Sequence, residues 1–268
     1  MPISPFHLPI HLPMTRTLMG LGGLLALGLL EFAVRGWSAW KRRLPDMGTN
    51  LALSLMDVLV VRLTVPALVI QAATYAQTQH WGLFGEIELS GWSAAVAGFL
   101  LMDLAVWGQH WTTHRVPWLW RLHAVHHSDQ VIDLSTGLRF HPLEILVSSG
   151  WKAAVVLALG IPPSVVLVSE IALNLASLFE HMAIPLPPRL DHALRWLLVT
   201  PPMHLIHHST RPSETNSNYG FCIPWWDRIF RTYRPEAAPG LVIGLEPWPT
   251  RLSLPGLLAL PFTHWKTK

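Results

Sequence analysis

Four long apolar runs, near residues 17–35, 51–76, 92–109 and 151–178, set the terms on which this chain can fold. A helix needs about 20 apolar residues to cross the hydrocarbon layer, so each run is long enough to be a membrane helix. Composition agrees: 51% of the 268 residues are hydrophobic, 13% are charged, and mean hydropathy is +0.35. A soluble domain carries roughly a quarter of its residues charged, so part of this chain's solvent is lipid. The length alone allows one large domain or two small ones.

Several function classes drop out. Nineteen Lys and Arg against 16 Asp and Glu give a formal charge of +3, and no basic run is longer than residues 41–43. Nucleic acid is therefore not an expected partner. The one cysteine, Cys222, excludes an intramolecular disulfide and any Cys-based zinc site, which leaves histidine or carboxylate to hold a metal. The start, MPISPFHLPIHLP, lacks the basic residues and small-residue cleavage site of a signal peptide, so the first run is expected to be retained. Phosphate-binding glycine motifs, H-E-x-x-H, G-x-S-x-G and paired C-x-x-C are absent.

Charge asymmetry orients the runs. The link at 36–50 carries Lys41, Arg42 and Arg43, with Arg35 just before it, whereas 77–91 has no Lys or Arg. By the positive-inside rule the first link faces the cytoplasm and the second faces outward. Residues 110–141 then emerge on the cytoplasmic side with Arg115, Arg121 and Arg139. The segment 151–181 is too short for two spans of about 20 residues and is broken by Pro162 and Pro163, which predicts a hairpin that dips into the bilayer and returns. Beyond 179 the proline-punctuated polar sequence predicts a cytoplasmic cap. The apolar piece at 254–262 is too short to span; it lies either at the interface, with Trp248 and Trp265 near the headgroups, or in the core of the cap. The expected fold is all-α, a polytopic bundle of about three spans plus a re-entrant helical hairpin, with a cytoplasmic helical cap. Its expected parts are 1–95 (N-terminal membrane helices), 96–235 (the histidine-bearing part) and 236–268 (interfacial tail).

Histidine carries the chemistry. HWTTH places His110 and His114 on one helix face, with Asp103 seven residues earlier on the same face. HAVHH (His123, His126, His127) and HLIHH (His204, His207, His208) repeat one H-x-x-H-H spacing, and His181 ends the hairpin. One pair or one box reads equally well as polar helix surface; two boxes and a pair on one side of the membrane read as a metal site. Eight or more neutral imidazoles exceed what one tetrahedral zinc can use, which points to two metals. Imidazole suits iron, zinc and copper alike, so spacing leaves the metal open.

The ordered motifs DLAVWGQHWTTHRVPWLWRLHAVHHSDQ, RFHPLE, TPPMHLIHHS, NSNYG and WWDRIFRTY resemble the fatty acid hydroxylase superfamily, also called the sterol desaturase family, of membrane di-iron enzymes, over roughly residues 96–235. The resemblance implies a ligand role for His110, His114, His123, His126, His127, His204, His207 and His208, and it matches His181 to a further family histidine. It implies two iron ions, with zinc able to replace them in purified protein, O2 as co-substrate, and no catalytic group beyond the ligands. The implied reaction is hydroxylation or desaturation of a lipid: a sterol or hopanoid, a fatty acyl chain, an ether or ornithine lipid, or a carotenoid. The chain has no flavin or haem motif, so electrons are expected from a separate ferredoxin, cytochrome b5 type protein or reductase. A bacterial inner membrane is the expected location, with the metal site on the cytoplasmic side.

The chain departs from the pattern at Trp111, where the family usually has Arg, at Met182 and Ala183, where Asn is frequent, and at Arg231, where Gly is expected. His141 and His192 are candidates for metal contact or support. Asp103, Glu144, Glu180 and Asp227 are candidates to accept the outer N–H of a ligating imidazole, or else form ordinary salt bridges and caps. Residues 218–220 are expected to pack near the site; His7, His11, His80 and His264 are expected at the surface or interface. A zinc transporter or storage protein would place its ligands inside the spans, and a zinc hydrolase would set a carboxylate beside its histidines; here the boxes flank the spans and no H-E-x-x-H occurs.

Overall fold

A computed structural model describes residues 12–65, 67–245 and 251–263, and among these every regular element is helical. By length and composition five helices can cross a membrane: α1 (Leu12–Arg35), α2 (Trp37–Thr64), α5 (Gly91–Thr113), α7 (Pro142–Leu159) and α8 (Pro163–Glu180). Between them lie α3 (Leu68–Thr78), the short α4 (Leu83–Glu86) and α6 (Pro117–His127). After α8 come α9 (Pro188–Leu194), α10 (Pro201–His207), α11 (Pro212–Thr215), α12 (Trp225–Ile229) and α13 (Leu254–Ala259). Proline opens α6, α7, α8, α9 and α10 at the first turn, where its missing N–H costs nothing and its fixed φ suits the helix.

Helix α8 packs on α1 and α5, and α7 packs on α3 and α5. Their shared core includes Ala73, Phe84, Met102, Val156, Ile161 and Val166. Leu18, Leu21, Leu25 and Leu29 stand exposed along α1, a stripe that is stable outward only because lipid surrounds it.

Three features differ from the sequence expectation. The link at 36–50 is helical, because α2 starts at Trp37 and runs through Pro45. Arg43 therefore turns inward, where it is 5% exposed, rather than marking a cytoplasmic loop. The run at 51–76 is cut in two just before Pro66.

The hairpin exists and breaks at Gly160, whose φ of 72° ends α7 in the left-handed region. Its arms are longer than expected, 18 residues each, or about 27 Å at about 1.5 Å per residue. The extra length begins at Pro142, in a stretch where Glu144, Ser149 and Lys152 hide the apolar pattern; all three are buried inside the protein.

The piece at 254–262 is core rather than interface. Leu257 and Leu260 are buried against Leu53 and Val125, and Arg121 donates to the carbonyls of Pro261 and Thr263. Trp248, Trp265, His7, His11 and His264 lie outside the described residues.

Candidate metal centre

The C-terminal ends of α5 and α8 and the N-terminal end of α7 share one end of the bundle, and α6 and α10 cross it. Nine histidines meet there in two groups: His110, His114, His123, His127 and His207 in one, His126, His181, His204 and His208 in the other. Within each group the ligand atoms all lie within 4.8 Å of one another. All nine of the sequence candidates for ligands are thus brought together.

The H-x-x-H-H spacing has a geometric meaning here. On a helix of 3.6 residues per turn, positions i and i+4 diverge by about 40° and i+3 points away on the other side. His123 and His127 accordingly serve the first group while His126 crosses to the second; His204 and His208 serve the second while His207 crosses to the first. The two boxes are exchanged copies of one device. His110 and His114 complete one group and His181 the other.

The imidazoles are oriented from outside. His110 Nδ1 donates to the Tyr219 carbonyl at 2.8 Å, His207 Nδ1 to Ser217 at 2.7 Å and His181 Nδ1 to Ser177 at 2.6 Å. His123 Nδ1 donates to Glu144 Oε1 at 2.6 Å. A neutral imidazole with a proton on Nδ1 has a bare lone pair on Nε2. Yet His110 Nε2 and His123 Nε2 face each other at 3.1 Å, and His181 Nε2 lies 3.1 Å from Nε2 of His126, His204 and His208 alike. Lone pairs do not hydrogen-bond to one another, and the one Nε2 lone pair of His181 cannot accept from three imidazoles at once, so these contacts call for a cation.

The distance fits one: nitrogens about 2.1 Å from a shared metal stand about 3.0–3.4 Å apart. His114 Nε2, His127 Nε2 and His207 Nε2 are buried without a hydrogen-bond partner, as expected of atoms aimed at an ion.

Protons do not fill the role. Burial, with neighbouring imidazoles as the next cause, holds His114, His126, His127, His204, His207 and His208 well below the usual histidine range, and burial takes His181 down to about 4. Neutral imidazole is the form that binds metal. Aromatic walls close the site: Phe140 stacks on His126 at 4.6 Å and Trp120 lies 4.8 Å from His114.

The other candidates divide. Glu144 supports His123 directly. Glu180 is buried with its oxygens 3.7 and 3.8 Å from Nδ1 of His204 and His181, beyond hydrogen-bond reach.

Asp227 touches no histidine. It accepts from the backbone N–H of Tyr219 and Gly220, from Trp107 Nε1 and from Thr232, and so fixes the carbonyl of Tyr219 that orients His110. Asp103 likewise spends its oxygens elsewhere, accepting from Trp226 Nε1 at 2.9 Å and the Cys222 N–H at 3.3 Å. His141 lies outside both groups: it N-caps α7, where its Nδ1 accepts from the Leu143 N–H, and Pro142 opens the helix. His192 and His80 are exposed. At the departure Trp111, the Arg115 guanidinium sits 3.9 Å over the indole.

One network was not foreseen. Arg43 donates to Asp133 at 2.6 Å, Asp46 at 2.7 Å and Asp129 at 3.2 Å, and Arg139 bonds Asn50, Ser128 and the Val125 carbonyl. It braces the loop that follows the first box. Arg43, Asp46 and Asn50, at i, i+3 and i+7 of an apolar helix, were the signal that could have revealed it.

Fold and site together define a helical integral membrane protein with two histidine cages at one end of its bundle. The family model for fatty acid hydroxylase matches residues 95–232, just over half of the chain, and the chain belongs to that family. Alkylglycerol monooxygenase of Danio rerio is 36% identical over 163 residues, covering 59% of this chain and 34% of that protein; the Homo sapiens protein is 32% identical over 178 residues, covering 64% and 38%. Ornithine lipid hydroxylase OlsE of Rhizobium tropici is 28% identical over 145 residues, covering 54% and 43%. The chain thus spans about a third of the length of the alkylglycerol monooxygenases it matches. No solved structure matches it.

Proposed function

We propose that the chain is a membrane lipid hydroxylase that holds two iron ions, one in each histidine group. The observation that carries this reading is the convergence of bare Nε2 atoms, 3.1 Å apart, at the end of a lipid-facing bundle. His110, His114, His123, His127 and His207 would hold one ion, and His126, His181, His204 and His208 the other. Iron bound there would supply activation of O2, with one oxygen atom going to an unactivated C–H bond and the other leaving as water, at the cost of two electrons from a separate donor and two protons from solvent.

The chain's own residues do the rest. Carbonyls of Ser177, Ser217 and Tyr219 keep the rings turned inward, and Glu144 polarises His123.

The relatives' names speak of alkylglycerol and of ornithine lipid, whose common denominator is a lipid; a lipid is the substrate class proposed here. Residues 96–235 are the catalytic part, the cage lies on the cytoplasmic side of a bacterial inner membrane, and a ferredoxin, cytochrome b5 type protein or reductase supplies the electrons.

Metal analysis of protein made under iron-replete conditions tests the reading. Two irons per chain are expected; stoichiometric zinc with no iron under every preparation overturns it. Loss of one hydroxylated lipid from a deletion strain then identifies the substrate.

A further inference from the structure

The elements after α8 read as a cap above the membrane, yet α12 is anchored to α5 well short of that helix's end. Phe230, at the end of α12, stacks on Trp107 of α5 with ring centroids 4.5 Å apart, and Trp226 Nε1 donates to Asp103 at 2.9 Å. Helix α5 ends at Thr113. Trp107 and Asp103 therefore lie about 9 and about 15 Å below its end, at about 1.5 Å per residue. At 23 residues α5 is about 34 Å long, against a hydrocarbon layer of about 30 Å, so little of it projects. With α5 spanning the layer, the side of it that α12 covers falls at acyl-chain depth.

The turn after α9 is locked to α12. Trp225 Nε1 donates to the Trp196 carbonyl at 2.7 Å, and the Arg228 guanidinium lies 4.2 Å over the Trp196 ring. The resulting ridge leaves large apolar side chains outward: Trp196 is 62% exposed, Leu197 64% and Ile229 61%. Its acids point inward, Asp191 onto Arg195 and Thr200 and Asp227 onto the loop at 219–220. The charged residues of the exposed class on the ridge are Arg189 and Arg231, both cationic. An apolar face continuous with a membrane helix and rimmed by arginine fits the acyl-to-phosphate boundary of a bilayer.

We propose that α9, the turn after it and α12 form a monotopic ridge immersed in the leaflet beside the histidine cages, with Trp196, Leu197 and Ile229 among acyl chains and Arg189 and Arg231 at phosphate level. The occupant of this surface is bilayer lipid. The proposal rests on the membrane fold and is independent of which metal the cages hold.

Nitroxide labels test it in full-length protein reconstituted into nanodiscs of phosphatidylcholine and phosphatidylglycerol. Single cysteines replace Leu197 and Ile229 in a Cys222→Ala background, with Leu25→Cys on α1 as lipid reference and Ser213→Cys as aqueous reference. Collision with O2 and with a water-soluble nickel chelate reports the surroundings. Labels at 197 and 229 are expected to match Leu25, open to O2 and closed to nickel. Nickel access equal to that at Ser213 overturns the proposal. So do immobile labels shielded from both reagents, the result expected if a second copy or another protein covers the ridge. If Cys222→Ala weakens folding, the same labels are read in the native background, where the Cys222 thiol is buried away from the labelling reagent.

Discussion

Arg43→Met is the most informative single change. Arg43 is 5% exposed and neutralises three carboxylates, of which Asp129 is 4% and Asp133 is 1% exposed. Removing one partner of a buried ion pair costs about 3–5 kcal/mol, because the other charge stays behind without compensation. For a chain of this size about 1 kcal/mol shifts Tm by about 2–4 °C, so a fall of about 6–20 °C is expected. Tryptophan fluorescence in one detergent, at one scan rate, measures it.

Arg43→Lys sharpens the test. It keeps the charge but loses the planar fork that reaches Asp133 through Nε, Asp46 through Nη1 and Asp129 through Nη2. Its loss should fall between wild type and Met. If the residue acts only as a positive-inside marker, Lys would match wild type, and a fall under about 2 °C for Met would refute the reasoning outright.

Three further outcomes are expected. Glu144→Gln removes the charge that polarises His123, and metal affinity measured against a chelator should fall about 10–100-fold; unchanged affinity would count against the support role. Gly137→Ala would place a Cβ 2.5 Å from the Ser177 carbonyl oxygen and 3.3 Å from His181 Nδ1, so a loss of about 1–3 kcal/mol should come with lower metal content, and a variant with normal Tm and metal would sink the idea. Arg231 sits at φ 59°, a region that costs an L-residue about 1–2 kcal/mol; Arg231→Gly should be neutral or raise Tm slightly, after about 1 kcal/mol of glycine chain entropy is set against the gain. A clear drop in Tm would show that the Arg231 side chain itself contributes.

The site was more legible than the fold around it. Histidine spacing is a local code, and i, i+3, i+4 on a helix fixes which imidazoles share a face before any tertiary contact is known. Long apolar runs gave the membrane helices for the same reason. What failed was polar sequence inside helices. Arg43 looked like a loop marker, because single-sequence patterning cannot show its buried carboxylate partners Asp129 and Asp133, whereas Glu144 stood among the candidates to support a ligating imidazole and does pair with His123. Asp103 and Asp227 failed in the reverse sense. They share a face or a motif with the ligands, yet their oxygens are used by Trp226, Trp107 and backbone N–H groups.

The Arg43 network also bears on where this protein can be cut. The segment recognised as fatty acid hydroxylase begins at residue 95, but Arg43 and Asn50, which neutralise and bond Asp129, Asp133 and Arg139, come from before it. The carbonyls of Pro261 and Thr263 that hold Arg121 come from beyond its end at 232. A fragment trimmed to the matched boundaries would carry every histidine of both cages and yet leave buried charges beside the first box stranded. The recognisable unit of descent is therefore smaller than the unit that can stand alone, and grafting the cages into another scaffold requires carrying the arginine donor of α2 with them.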